Sequence, residues 1–116
     1  MIVNIKIDDN RTLNKNKYFF GNQYENGATT IHLDLPSDWQ YDLYMFYRLG
    51  SEKYTALKIS KDFKIPIKIT KNSGEYEAYV VCSSAESGDI LKAENVFISN
   101  IFKFIINPIG LEGGVK

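Results

Sequence analysis

The feature that most constrains the fold is a strict alternation of residue types between Ser73 and Asn107, SGEYEAYVVCSSAESGDILKAENVFISNIFKFIIN. Tyr76, Ala78, Val80 and Cys82 fall on one side of an extended chain, and Glu75, Glu77, Tyr79 and Val81 on the other. Side chains in a strand point alternately to its two faces, so this period marks a strand with one face on a core. The glutamates place the second face in solvent at its start, and Tyr79 and Val81 imply cover further along. Gly74 follows the turn formers Lys71, Asn72 and Ser73. Ser83 to Asp89 is a polar loop containing Gly88. Val96 to Ile98 and Ile101 to Ile106 then supply a closing strand or strand pair, with Phe102, Phe104 and Ile106 inward and Lys103 outward.

The remainder follows the same rule in shorter runs. Ile2 to Ile7 alternates, with Ile5 and Ile7 on one face. Lys17 to Phe20 is a short strand or aromatic plug between Asn- and Gly-rich turns. In Thr29 to Leu35, Ile31, Leu33 and Leu35 face in while Thr30, His32 and Asp34 face out. Trp39 to Leu49 is an aromatic segment compatible with both helical and strand periods. Its β-branched and aromatic neighbours and flanking turns favour a strand. The turn at Gly50 to Lys53 allows Tyr54 to Ile59 to pair back as a hairpin. Asp62 to Thr70 alternates through Phe63, Ile65, Ile67 and Ile69; Pro66 marks an edge strand or a strand bend, and the lysines guard that edge. These readings predict an all-β domain of seven to nine short strands over residues 1–109, an antiparallel β-sandwich or barrel, with no helix and a flexible tail over 110–116 containing Gly113-Gly114.

Composition limits the functional classes. The chain has 116 residues, enough for one domain with its own core. Basic and acidic residues number 14 each, without the cationic surplus that neutralises nucleic-acid phosphates. No apolar run approaches the roughly 20 residues of a membrane helix, and Met1 to Asn10 lacks a signal-peptide pattern. The expected location is the cytosol, or an assembly built there. The single cysteine, Cys82, excludes an intrachain disulfide.

Residues able to carry chemistry are sparse. A zinc site usually needs several His or Cys ligands, and this chain has one of each, His32 and Cys82. Alternation places His32 outward and Cys82 inward, which disfavours a nucleophile–base pair and makes Cys82 a small buried apolar residue. Glu75 and Glu77 share a strand face about 6.5–7 Å apart at the rise of a strand, a spacing found in glycosidases and equally in any solvated strand. Asp8, Asp9 and Asn10 lack the spacing of a calcium loop, and no phosphate-binding or dinucleotide glycine motif occurs. The expectation is a non-catalytic protein without cofactors.

Aromatic residues are in surplus: eight tyrosines, seven phenylalanines and one tryptophan. Tyr18, Tyr24, Tyr41, Tyr44 and Tyr54 are the tyrosines expected to reach the surface. Trp39, Tyr41, Tyr44 and Tyr54 form the expected interaction or glycan-stacking surface, since exposed Tyr and Trp suit protein interfaces and sugar rings alike.

The order of segments IVNIKI, ATTIHLDLP, YDLYMFYRLG, FKIPIKI, SGEYEAYVVCSS and SNIFKFIIN resembles the immunoglobulin-like modules of phage and prophage tail and baseplate proteins. It is similar to the N-terminal domain of baseplate upper proteins in phages of Gram-positive bacteria. The resemblance covers residues 1–109 and is a pattern of strands rather than a motif. Such baseplate proteins continue into a trimerising or receptor-binding part, so a chain ending at Lys116 is a piece of one or a small stand-alone virion protein. The resemblance implies an immunoglobulin-like antiparallel β-sandwich; antibody-type domains have a second cysteine that this chain lacks, so the likeness extends to the sandwich only. The resemblance implies a virion structural protein assembled in the bacterial cytoplasm, with other virion subunits or copies of itself as partners. The alternative is a carbohydrate-binding sandwich whose partner is a cell-surface glycan.

Overall fold

A computed structural model describes residues 1–85, 89 and 91–109. The described residues form nine strands and one helical turn, in two sheets packed as a sandwich. The strands are β1 (Ile2–Lys6), β2 (Lys17–Asn22), β3 (Thr30–Asp34), β4 (Asp42–Leu49), β5 (Thr55–Ile59) and β6 (Asp62–Lys64). The turn α1 (Ile67–Thr70) precedes β7 (Gly74–Ser83), β8 (Val96–Ile98) and β9 (Phe102–Asn107). One sheet has the order β1-β3-β6; the other has the order β2-β9-β7-β4-β5, with β8 also on β7. The run β9-β7-β4-β5 is the order in which variable-type immunoglobulin domains place strands G, F, C and C′.

Alternation predicted the inward faces well. Ile5, Ile7, Ile31, Leu33, Tyr76, Ala78, Val80, Cys82, Phe102, Phe104 and Ile106 are buried and Leu35 is half-buried; on β4 the inner face is that of Leu43, Met45 and Tyr47. An aromatic column runs through this core. Phe20 stacks on Phe104 at 4.4 Å and Tyr76 stacks on the same Phe104 at 4.7 Å, between ring centroids. The outer face of β7 begins exposed at Glu75 and becomes fully buried at Val81, the cover that Tyr79 and Val81 had implied.

Three expectations need correction. The sheets are not antiparallel throughout: β1 pairs with β3, and β2 with β9, in parallel. Parallel partners cannot be joined by a tight hairpin, and here β2 intervenes between β1 and β3, and most of the domain between β2 and β9. Second, the predicted edge strand from Asp62 to Thr70 stops at Lys64, and residues 67–70 turn helical. Proline cannot donate to a ladder but tolerates the start of a helix. Pro66 sits extended at the N-cap, and its carbonyl accepts the N–H groups of Ile69 and Thr70. Ile69 therefore enters the core while Ile67 is exposed. The short β6 that remains is indeed the edge of its sheet. Third, Trp39 lies before β4 rather than in it. The expected flexible tail over 110–116 and the loop glycine Gly88 lie outside the described residues.

Two local devices hold the long strand β7. Gly74 enters it with φ +139°, and a Cβ there would lie 2.8 Å from Leu49 Cδ1, so glycine meets both the conformation and the close approach. Between β8 and β9 the ladder on β7 is broken, and Ser99 repairs it. Its N–H donates to the Val80 carbonyl, and its Oγ accepts the Val80 N–H at 2.9 Å.

Candidate functional site

The expected aromatic surface is largely absent. Trp39 is only 3 % exposed, because its indole turns inward to stack on Phe97 and joins the core cluster. Tyr44 is 4 % exposed. It lies on the outer face of β4, opposite Val81 of β7, where that face is covered. Tyr18 is also buried; its ring meets Phe102 edge-on and its hydroxyl donates to Asn14 Oδ1 at 2.8 Å. Tyr24 and Tyr41 are exposed as expected. Tyr54 is half-buried, its ring against Tyr79 and under the Arg48 guanidinium at 4.6 Å. The four residues Trp39, Tyr41, Tyr44 and Tyr54 thus form no continuous platform. Residue type alone cannot distinguish a ring that completes a core from one that waits for a ligand.

The groups considered for catalysis are held in structural contacts. Cys82 is fully buried; its Sγ accepts the Tyr41 N–H at 3.3 Å, and burial pushes its thiol pKa up. A thiolate is the reactive form, so this environment works against nucleophilic use. His32 is exposed on β3, in the other sheet, where Nδ1 meets Asp62 of β6. Glu75 lies between Lys17 at 3.0 Å and Lys103 at 3.3 Å. Hydrogen bonding to Lys17, then to Lys103, lowers its carboxyl pKa, opposite to the shift a general acid needs at neutral pH. Glu77 accepts from Arg48 Nε at 3.0 Å and Nη2 at 2.7 Å. No group of three or more His, Cys, Asp or Glu capable of holding a metal ion occurs among the described residues.

A different feature stands out where the two sheets present terminal strands. β1 ends one sheet and β2 ends the other. Between them lies a groove of about 500 Å³ lined by Met1, Ile2, Val3, Tyr18, Phe19 and polar neighbours including Lys15. Ile2 is 70 % exposed, Met1 56 % and Phe19 41 %. Among the described residues, the outer edge of β1 is satisfied only toward its end, where Lys6 exchanges hydrogen bonds with Asn14 and Ile7 bridges Leu13. The opposite edges are protected differently. β6 has three residues, flanked by Lys61 and ending in Lys64, and β5 carries the exposed Thr55 and Lys58. Short length and lysines blunt an edge against pairing; apolar side chains beside an open strand invite it. Sequence reasoning missed this groove because β1 and β2 are adjacent only once the two sheets pack.

No protein-family model matches the chain, and no curated protein matches its sequence. No helix among the described residues is long and apolar enough to cross a membrane.

Proposed function

We propose that this chain is a non-catalytic structural module that binds a second copy of itself through the β1–β2 groove, as a subunit of a phage or prophage tail or baseplate. The observation that carries this reading is the apolar, unblunted edge formed by Met1, Ile2 and Phe19. Adding a strand to an open sheet edge supplies main-chain hydrogen bonds and leaves specificity to the flanking side chains. The open part of that edge is Ile2 to Asn4, ahead of Lys6, whose outward N–H and C=O are already held by Asn14. The resemblance of the strand order to baseplate modules is what suggests the setting, a symmetric virion assembly. The test is the oligomeric mass of the native chain against an Ile2→Lys/Phe19→Lys variant. Self-association in the native chain and monomers in the variant are expected.

One observation favours glycan binding as a second reading. A hollow of about 370 Å³ is lined by Trp39, Tyr41, Asp42 and Lys61, and the buried Trp39 Nε1 has no hydrogen-bond partner among the described residues. A neutral glycan that accepted from this indole and stacked on the exposed Tyr41 would be lost from a glycan array with Tyr41→Ala. An array without signal for the native chain sinks this reading.

A further inference from the structure

A separate cleft lies between the β4–β5 hairpin and α1. It holds about 330 Å³, at the lower end of the range of small-molecule pockets. Tyr47 and Tyr76 line it, both buried, and Arg48, Lys53, Lys68 and Lys71 converge on it from three segments of chain. Arg48 is neutralised by Glu77. Lys53, Lys68 and Lys71 are exposed and form no ion pair among the described residues; Lys6, Lys15, Lys61 and Lys64 are also unpaired, and what sets the three apart is that they meet in one cleft. Glu52 is the single carboxylate in the lining. A chain with balanced total charge therefore gathers unpaired cations at one concave place.

The supporting residues are rigid. The Tyr76 hydroxyl shares its one proton between the carbonyls of Ile69 and Asn72, which ties the lysine-bearing turn to the start of β7. Arg48 is fixed by Glu77 and lies over the Tyr54 ring. Mutual repulsion of the lysines is relieved by an anion, and the wall costs little reorganisation when one enters. The Thr55 hydroxyl and the Asn72 amide lie in the same lining and make no side-chain hydrogen bond among the described residues. Glu52 can accept from hydroxyl groups but repels a second anionic centre.

We infer that this cleft binds a small hydroxylated anion, an acidic sugar or a sugar phosphate, with Lys53, Lys68 and Lys71 on the anionic group and Glu52 on its hydroxyls. The site is independent of the β1–β2 groove, so either can fail alone. The test is amide-detected NMR titration of the native chain with glucuronate, glucose 6-phosphate, inorganic phosphate and glucose, repeated on Lys68→Gln/Lys71→Gln. These lysines are exposed, and an unchanged melting temperature verifies the variant's fold. The expected result is saturable shifts at Tyr47, Lys53, Lys71 and Asn72 with glucuronate or glucose 6-phosphate, the tighter of the two identifying carboxylate or phosphate. Glucose and inorganic phosphate bind at least about tenfold more weakly, and the variant loses about tenfold in affinity. Four results overturn the assignment: no shift at millimolar anion, equal binding of glucose, unchanged affinity in the variant, or tighter binding of a glutamate-rich peptide, which would make the cleft a contact for an acidic protein segment.

Discussion

At the scale of single residues, Tyr76 shows how a side chain can look ordinary in sequence and govern a corner of the fold. It was legible as an inward residue of β7 because of its place in the alternation. Its hydroxyl bonds to the carbonyls of Ile69 and Asn72 were not, since they depend on how the chain turns before the strand. The arrangement matches the tyrosine corner of immunoglobulin-like sandwiches, in which a tyrosine near the start of strand F bonds back to the preceding connection. Burial, with smaller contributions from Tyr47 and Glu52, pushes the phenol up to about 12 from 10.0. Below pH 10 the phenol is neutral in both the folded and unfolded chain, and its contribution to stability is fully present. Between about 10 and 12 the unfolded chain ionises first, so stability falls as pH rises, by about 2 kcal/mol from this residue. Tyr18, Tyr47 and Tyr79 are shifted in the same direction, chiefly by burial. Denaturant melts from pH 9 to 12 should show this decline, and Tyr76→Phe should make it shallower while costing about 1–3 kcal/mol at neutral pH through two carbonyls left without their donor. A pH dependence identical in the variant would contradict the assignment.

At the scale of elements, period-two alternation identified the strands and their faces because sheet geometry leaves little else for such a pattern to do. It failed at Ile65-Pro66-Ile67-Lys68-Ile69, where the same pattern passes through a proline that ends β6 and starts α1. In a helix, residues two apart do not share a face, so Ile67 and Ile69 separate, one to solvent and one to the core. This yields a direct comparison. Ile69→Ala should destabilise by about 2–5 kcal/mol, as expected for a large-to-small change in a packed core, and Ile67→Ala by less than about 0.5 kcal/mol, as for an exposed position. Equal losses in chemical denaturation would restore the strand. The aromatic segment gave a related lesson. Trp39, Tyr41 and Tyr44 lie within six residues, yet only Tyr41 is exposed. Which ring closes the sandwich depends on the partner that the other sheet and β8 offer, here Phe97 for Trp39.

At the scale of the whole molecule, the all-β sandwich was readable from strand spacing and turn residues, whereas the two parallel pairings were not. They join segments distant in sequence, about which local patterning says nothing. The β1–β2 groove is a product of that topology, because it exists only where the last strand of each sheet meets the other. The self-association proposed above rests on one property of the assembled domain, the exposed apolar edge formed by Met1, Ile2 and Phe19. Absolute mass by light scattering, over a concentration series, tests it most directly in the native chain and in Ile2→Lys/Phe19→Lys. The prediction is a native oligomer that forms with rising concentration and a variant that stays monomeric with an unchanged melting temperature. Monomers throughout for the native chain, or the same oligomer in both proteins, would contradict it.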